Sequence, residues 1–202
     1  MATRFKLSVI LLILSAMLAV LPLSGKYTLR KDPNELLTEA LDPETWLTPD
    51  QVAKSVVTED STIQLIDLRK KEDFSKTAIP GAINIPYSDF LVSDLESYLD
   101  RDVRTVFYSD DDYEANYALI LAKGIGYGNC SVMKGGLEAW HKDIMNSEFQ
   151  GTTISARENA LFEIRFRARK LFSEINNMPD SLKVKYMALK EIERKKLDGG
   201  CE

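Results

Sequence analysis

The residues with the most obvious chemical potential are Ser109-Asp110-Asp111-Asp112-Tyr113-Glu114, a hydroxyl followed at once by four carboxylates. A serine beside carboxylates could serve a hydrolytic triad if a histidine joined it, and His141 is the chain's single histidine. Nothing in the sequence places His141 beside Ser109, so the triad is disfavoured. The carboxylates could bind Ca²⁺ or Mg²⁺ as hard oxygen ligands, but the run lacks the D-x-D-x-D-G form. An acidic start to a helix, favourable to the helix dipole, is the better reading, and neither a metal nor a cofactor is expected. Cys130 and Cys201 are the only thiols and have no CxxC or Cys/His spacing. They therefore signal neither a disulfide framework nor a zinc site. Cys130 reads as a half-buried strand residue, and Cys201 as an accessible thiol on a flexible Gly-Gly tail.

The elements that must position these residues begin at Thr62. Thr62–Ile66, Ala82–Ile85, Thr105–Tyr108 and Ser131–Met133 are short β-rich runs. The stretches Glu114–Lys123 and Leu137–Ile144 between and after them carry apolar residues at helical spacing. Strands alternating with helices imply an α/β domain whose parallel sheet is covered on both faces. Ahead of it, Thr48 can cap a helix that Pro49 starts, with Gln51 completing a capping box. Behind it, Ser155 and Glu158 form a second capping box. Leu161, Ile164, Ala168, Leu171, Phe172 and Ile175 then share one helical face. A turn at Asn176–Asp180 leads into a second helix through Val184, Met187, Ala188 and Ile192, making a C-terminal helical hairpin. Its apolar faces, with Phe162, Phe166 and Phe172, are expected to pack on the chain's own domain.

At the other end, Leu7–Leu23 is an almost unbroken apolar run preceded by Arg4 and Lys6. This is the pattern of a secretory h-region or a signal anchor. Seventeen helical residues span roughly 25 Å, near the lower limit for a hydrocarbon core of about 30 Å. No clear small-x-small cleavage site precedes Gly25, so a retained single-pass anchor is the expectation. The domain would then lie on the non-cytoplasmic side. The organisation that follows is a signal anchor or signal peptide over 1–25, a linker with short helices over 26–54, an α/β domain over 55–149, and a helical extension with a flexible tail over 150–202.

With 26 Lys+Arg against 31 Asp+Glu, the net charge of -5 gives no basic footprint for nucleic acid. The imbalance is concentrated in the domain. Glu59–Asp143 holds 9 basic and 16 acidic residues, whereas Gly151–Glu202 holds 11 and 8.

The run Leu65-Ile66-Asp67-Leu68-Arg69, with Glu72, Phe74 and Ile79-Pro80-Gly81-Ala82-Ile83-Asn84-Ile85-Pro86, resembles the upstream signature of the rhodanese family. Gly126-Tyr127, Asn129 and Gly135-Gly136-Leu137-Glu138-Ala139-Trp140 are similar to its closing segment. The resemblance implies a parallel sheet of about five strands flanked by helices. It also implies a site on the loop after the strand Arg104–Tyr108, where active members keep a catalytic cysteine that carries sulfane sulfur. The matching position is Ser109. By the same resemblance, Glu114 stands where an arginine is common, Asp112 where a glycine often relaxes the loop, and Ala78 where a histidine is usual. Each carboxylate would repel an anionic sulfur donor by about 1 kcal/mol at 7 Å and an effective dielectric near 40. Asp67 and Arg69 read as an ion pair bracing the loops, and Pro80-Gly81 as the turn into the next strand. The expectation is a membrane-anchored, non-catalytic binding or scaffold module with an unidentified protein partner. The rival is a sulfur carrier in which Cys201 or Cys130 supplies the thiol.

Overall fold

The computed structural model describes residues 2–20, 30–91, 95, 98–148 and 155–198. Five parallel strands form one sheet in the order β1-β5-β4-β2-β3. These are β1 (Trp46–Leu47), β2 (Ile63–Asp67), β3 (Ile83–Asn84), β4 (Arg104–Tyr108) and β5 (Cys130–Met133). The four expected strands are present within a residue or two. β1 lies inside the stretch read as linker, and it pairs Trp46 with Val132 and Leu47 with Met133.

Burial on both faces explains why the strands read as continuous apolar runs. In β4 the side chains of Val106, Phe107 and Tyr108 are all fully buried. Val106 and Tyr108 enter one core with Trp140 and Ile144, and Phe107 enters the other with Ile66 and Leu119. Cys130 belongs to the second core and is buried rather than half-buried.

The helices are α1 (Ala2–Val20), α2 (Pro33–Ala40), α3 (Pro49–Thr58), α4 (Lys71–Lys76), α5 (Tyr87–Phe90), α6 (Tyr113–Gly124), α7 (Gly136–Trp140), α8 (Ala156–Asn176) and α9 (Asp180–Asp198). Both capping boxes form, Thr48 with Gln51 at the start of α3 and Ser155 with Glu158 at the start of α8.

The hairpin α8–α9 packs on the domain. Ala168 and Phe172 join the core beside Trp140, and Ile175 is buried as well. Arg165 clamps Asp50 of α3 with two bonds of 2.6 Å. Three details depart from the expected faces. Phe162 and Phe166 are both exposed. Val184 is 67% exposed, and the inward position of α9 is taken by Lys183, which is 4% exposed. The side chain of Ile192 and the tail beyond Asp198, with Cys201, lie outside the described residues.

The N-terminal run is helical to Val20, and its expected end at Leu23 lies outside the described residues. Among the described residues no helix is long and apolar enough to cross a membrane. The expected spanning anchor is therefore not supported. Arg4 and Lys6 occupy the first turns of α1, and the described apolar stretch runs from Leu7 to Val20, about 21 Å.

Candidate functional site: the loop after β4

β4 sits between β2 and β5, so its carboxyl end opens at the middle of the sheet, where loops from three strands converge. Ser109 follows Tyr108 directly and is 3% exposed. Its Oγ donates to Glu114 Oε2 at 2.6 Å, across the turn into α6. The carboxylate in the first turn of the helix thus accepts a hydrogen bond from the hydroxyl of the residue that follows the strand. Asp111 Oδ1 accepts from the Tyr113 N–H at 2.8 Å in the turn that enters α6.

The loop is strapped to the turn between β5 and α7. Ser109 O accepts from Leu137 N at 2.9 Å, and Asp110 O accepts from Glu138 N at 3.1 Å. The Gly135 N–H donates to Asp112 Oδ1. This approach is so close that a Cβ on Gly136 would lie 2.6 Å from Ser109 O and 2.7 Å from Asp110 O. Gly136 also holds φ +53°, a conformation that L side chains rarely adopt. The glycine pair singled out in the sequence is therefore what lets α7 abut the loop.

The second wall comes from β2. Asp67 and Arg69 are both buried and form a forked pair, with Arg69 Nε donating to Asp67 Oδ1 at 3.0 Å and Nη2 to Oδ2 at 2.6 Å. Arg69 Nη2 also donates to Thr77 O at 2.6 Å, so the ion pair holds the segment after α4. Burial would lower the Arg69 pKa, but the Asp67 carboxylate outweighs it and holds the guanidinium above its ordinary range. Arg69 Nη1 reaches Asp110 Oδ1 at 3.6 Å, and Asp110 remains 76% exposed. Asp67 and Arg69 are thus paired with each other, and Arg69 is also bonded to the segment after α4. Pro80 is buried and Gly81 takes φ +79° in the turn before β3.

His141 is not hydrogen-bonded to Ser109 in any described contact. Its ring meets Phe172 edge-on at 5.6 Å, beneath α8. Burial, followed by the nearby Arg69 charge, lowers its pKa. Trp140 is fully buried and packs 6.2 Å from the same phenylalanine. Among the described residues no group of three or more His, Cys, Asp or Glu is placed to hold a metal ion. Cys130 is distant in role as well as chemistry, since burial pushes its thiol up to about 12.

Two residues whose contacts the sequence did not reveal complete the surroundings. Asn176, at the end of α8, accepts from Ala78 N at 2.9 Å and donates through Nδ2 to Ala78 O at 3.0 Å. Lys183 Nζ donates to Ser75 O, Lys76 O and Asn176 Oδ1 at 2.7, 3.0 and 2.7 Å. The hairpin thereby holds the same segment that Arg69 holds through Thr77. A buried lysine on a helix rich in lysine leaves no periodic signal, so only the fold could have revealed it.

The sequence model of the rhodanese-like domain matches residues 48–143. This segment is a rhodanese-like domain. An uncharacterized protein of Buchnera aphidicola subsp. Baizongia pistaciae is 29% identical over 85 residues, 40% of this chain. The chain spans 57% of that relative's length. Among solved structures, a single-domain sulfurtransferase of Saccharomyces cerevisiae is 23% identical, with 49% of this chain and 90% of that one covered at a TM-score of 0.44. A Bacillus halodurans protein is 20% identical, with 64% and 99% covered at a TM-score of 0.46.

Proposed function

We propose that the rhodanese-like domain is a non-catalytic binding or scaffold module. The observation that carries this reading is the buried Ser109 hydroxyl donated to Glu114 at 2.6 Å, at the position where the family resemblance puts a sulfur-bearing cysteine. Sulfur transfer needs a thiolate that can attack a sulfane donor and hold a persulfide. A serine hydroxyl offers neither, and its proton is committed to a carboxylate. Asp110 and Glu114 meet an anionic donor with like charge, while the nearby Arg69 guanidinium is engaged by Asp67. Cys130 does not substitute, because a thiol with a pKa of about 12 holds almost no thiolate at neutral pH. Transfer of sulfur from thiosulfate to cyanide tests the reading: wild type should match a Ser109→Ala control. Turnover above that control, or turnover lost in Cys130→Ser or Cys201→Ser, would overturn it.

The same reading assigns α1 to directing the domain to a membrane, with the domain on the non-cytoplasmic side. Its support is the apolar surface of α1, where Leu7, Ile10, Leu12, Ile13 and Met17 are each more than half exposed. Such a surface stays in water only at a cost of about 25 cal/mol per Å². Fractionation of cells expressing the full chain, beside a chain lacking residues 2–20, tests it. Equal recovery of both in the soluble fraction would sink the assignment.

A further inference from the structure

The face of α6 that begins at the acidic loop is open and apolar. Tyr113, Tyr117 and Ile120 follow one another at i, i+4 and i+7 and are 67, 48 and 39% exposed. The two tyrosine rings meet edge to face at 5.0 Å. Helix α5 packs beside α6, and Leu91, which caps its carboxyl end, is 44% exposed. Tyr87, also on α5, is close enough that burial, then Tyr117 and Glu114, raise its phenol pKa. Single exposed apolar residues are ordinary on a soluble surface. A contiguous row at helical spacing that contains two tyrosines has instead the composition of an interface core, where tyrosine is enriched.

Charge at one end of this row says what fits it. Asp110, Asp111, Asp112 and Glu114 lie at the amino end of α6, and no Lys or Arg occurs from Thr105 to Ala122. Asp110 and Asp111 are exposed. A second copy of the chain would bring acidic loops toward acidic loops, which disfavours self-association through this face.

We propose that this face of α6 is the docking surface of the module, and that its occupant is a helical segment of a partner protein that is apolar along one side and basic at one end. The assignment rests on the reading of the domain as a binding module. The apolar side lies along Tyr113, Tyr117 and Ile120, as amphipathic helices dock through anchors at i, i+4 and i+7. The basic end meets Asp110 and Asp111, and an arginine there can also stack on the Tyr113 ring.

Three synthetic peptides of about 12 residues test this with the full chain. The first carries leucines at helical spacing and two terminal arginines. The second replaces the arginines by glutamates, and the third replaces the leucines by alanines. The first should bind, and the other two should bind at least about tenfold more weakly. Tyr117→Ala and Tyr113→Ala should each weaken the first peptide about tenfold with an unchanged melting temperature, because both side chains are exposed. Asp110→Asn should reduce the salt dependence of binding. Failure of the first peptide to bind, equal binding of the glutamate peptide, or indifference to Tyr117→Ala would overturn the proposal. So would self-association of the chain that Tyr117→Ala abolishes, since that would give the face to a second copy. These outcomes are separate from thiosulfate turnover, which would sink the non-catalytic reading and leave the titration result standing.

Discussion

Asn176 and Ala78 are joined as two amide groups that satisfy each other, the side chain of one taking both backbone groups of the other at 2.9 and 3.0 Å. Replacing Asn176 by Ala leaves the Ala78 N–H and C=O without this partner and removes one acceptor of the Lys183 ammonium. The expected loss is about 2–3 kcal/mol of unfolding free energy, measured by denaturant titration. Lys183→Met should cost a similar amount by uncovering Ser75 O and Lys76 O. If both variants unfold like wild type, the hairpin does not hold this segment in solution.

The packing of α8 and its surface ion pair should separate cleanly in magnitude. Phe172→Ala removes a ring that is 4% exposed and touches Trp140 and His141, so it should cost about 3–5 kcal/mol. Arg165→Ala breaks a well-formed pair with Asp50, but both side chains are about a quarter exposed. Its cost should stay near or below about 1 kcal/mol. Equal losses from the two would mean that the ion pair rather than the core fastens the hairpin.

Gly136 has no room for a side chain. Gly136→Ala would drive a Cβ into the carbonyls of Ser109 and Asp110, backbone atoms that cannot swing aside, at a φ that alanine resists. The variant should lose about 2–4 kcal/mol and displace the loop. Chemical-shift changes at Ser109, Asp110 and Leu137 in an amide spectrum would report it. An unperturbed loop in a stable Gly136→Ala protein would contradict the strap.

The single histidine gives a pH dependence with a definite sign. Burial lowers the His141 pKa in the folded protein, so the unfolded chain binds its proton more readily. The contribution of His141 to stability is present above the unfolded value near 6.5 and is lost as pH falls through the folded value. His141→Gln should flatten this limb of the stability profile between about pH 5 and 7, where no other unperturbed side chain changes charge. A profile identical to wild type would place the histidine in water instead.

The sheet was legible because its strands are buried on both faces and read as apolar runs, and because Pro80-Gly81 and Gly135-Gly136 mark turns that only such residues make easily. β1 was not legible, since two residues carry no periodic signal and pairing with β5 alone defines them. The same limit hid α4 and α5, which span six and four residues. Val184 was assigned inward by helical spacing, yet the inward side of α9 meets backbone carbonyls, which a lysine satisfies and a valine cannot. At the site, the residues of the acidic loop were identifiable from sequence. The bond from Ser109 to Glu114 was not, because a turn between strand and helix sets it rather than any regular spacing.

That bond is where the account is most exposed. A cysteine at position 109 would inherit the carboxylate of Glu114 at close range, raising a thiol that starts near 8.5 by roughly half a unit to a unit. Asp112 is better left in place, since its carboxylate holds the Gly135 N–H and its loss would loosen the loop. The direct test is sulfur transfer from thiosulfate to cyanide by wild type, Ser109→Cys and Ser109→Cys combined with Glu114→Arg. Wild type and the single variant should stay at background, and the double variant should show measurable transfer because a thiol and a cation return together. Turnover by the wild-type protein would contradict the non-catalytic account, and equal turnover by the single and double variants would show that Glu114 is not what disables the loop.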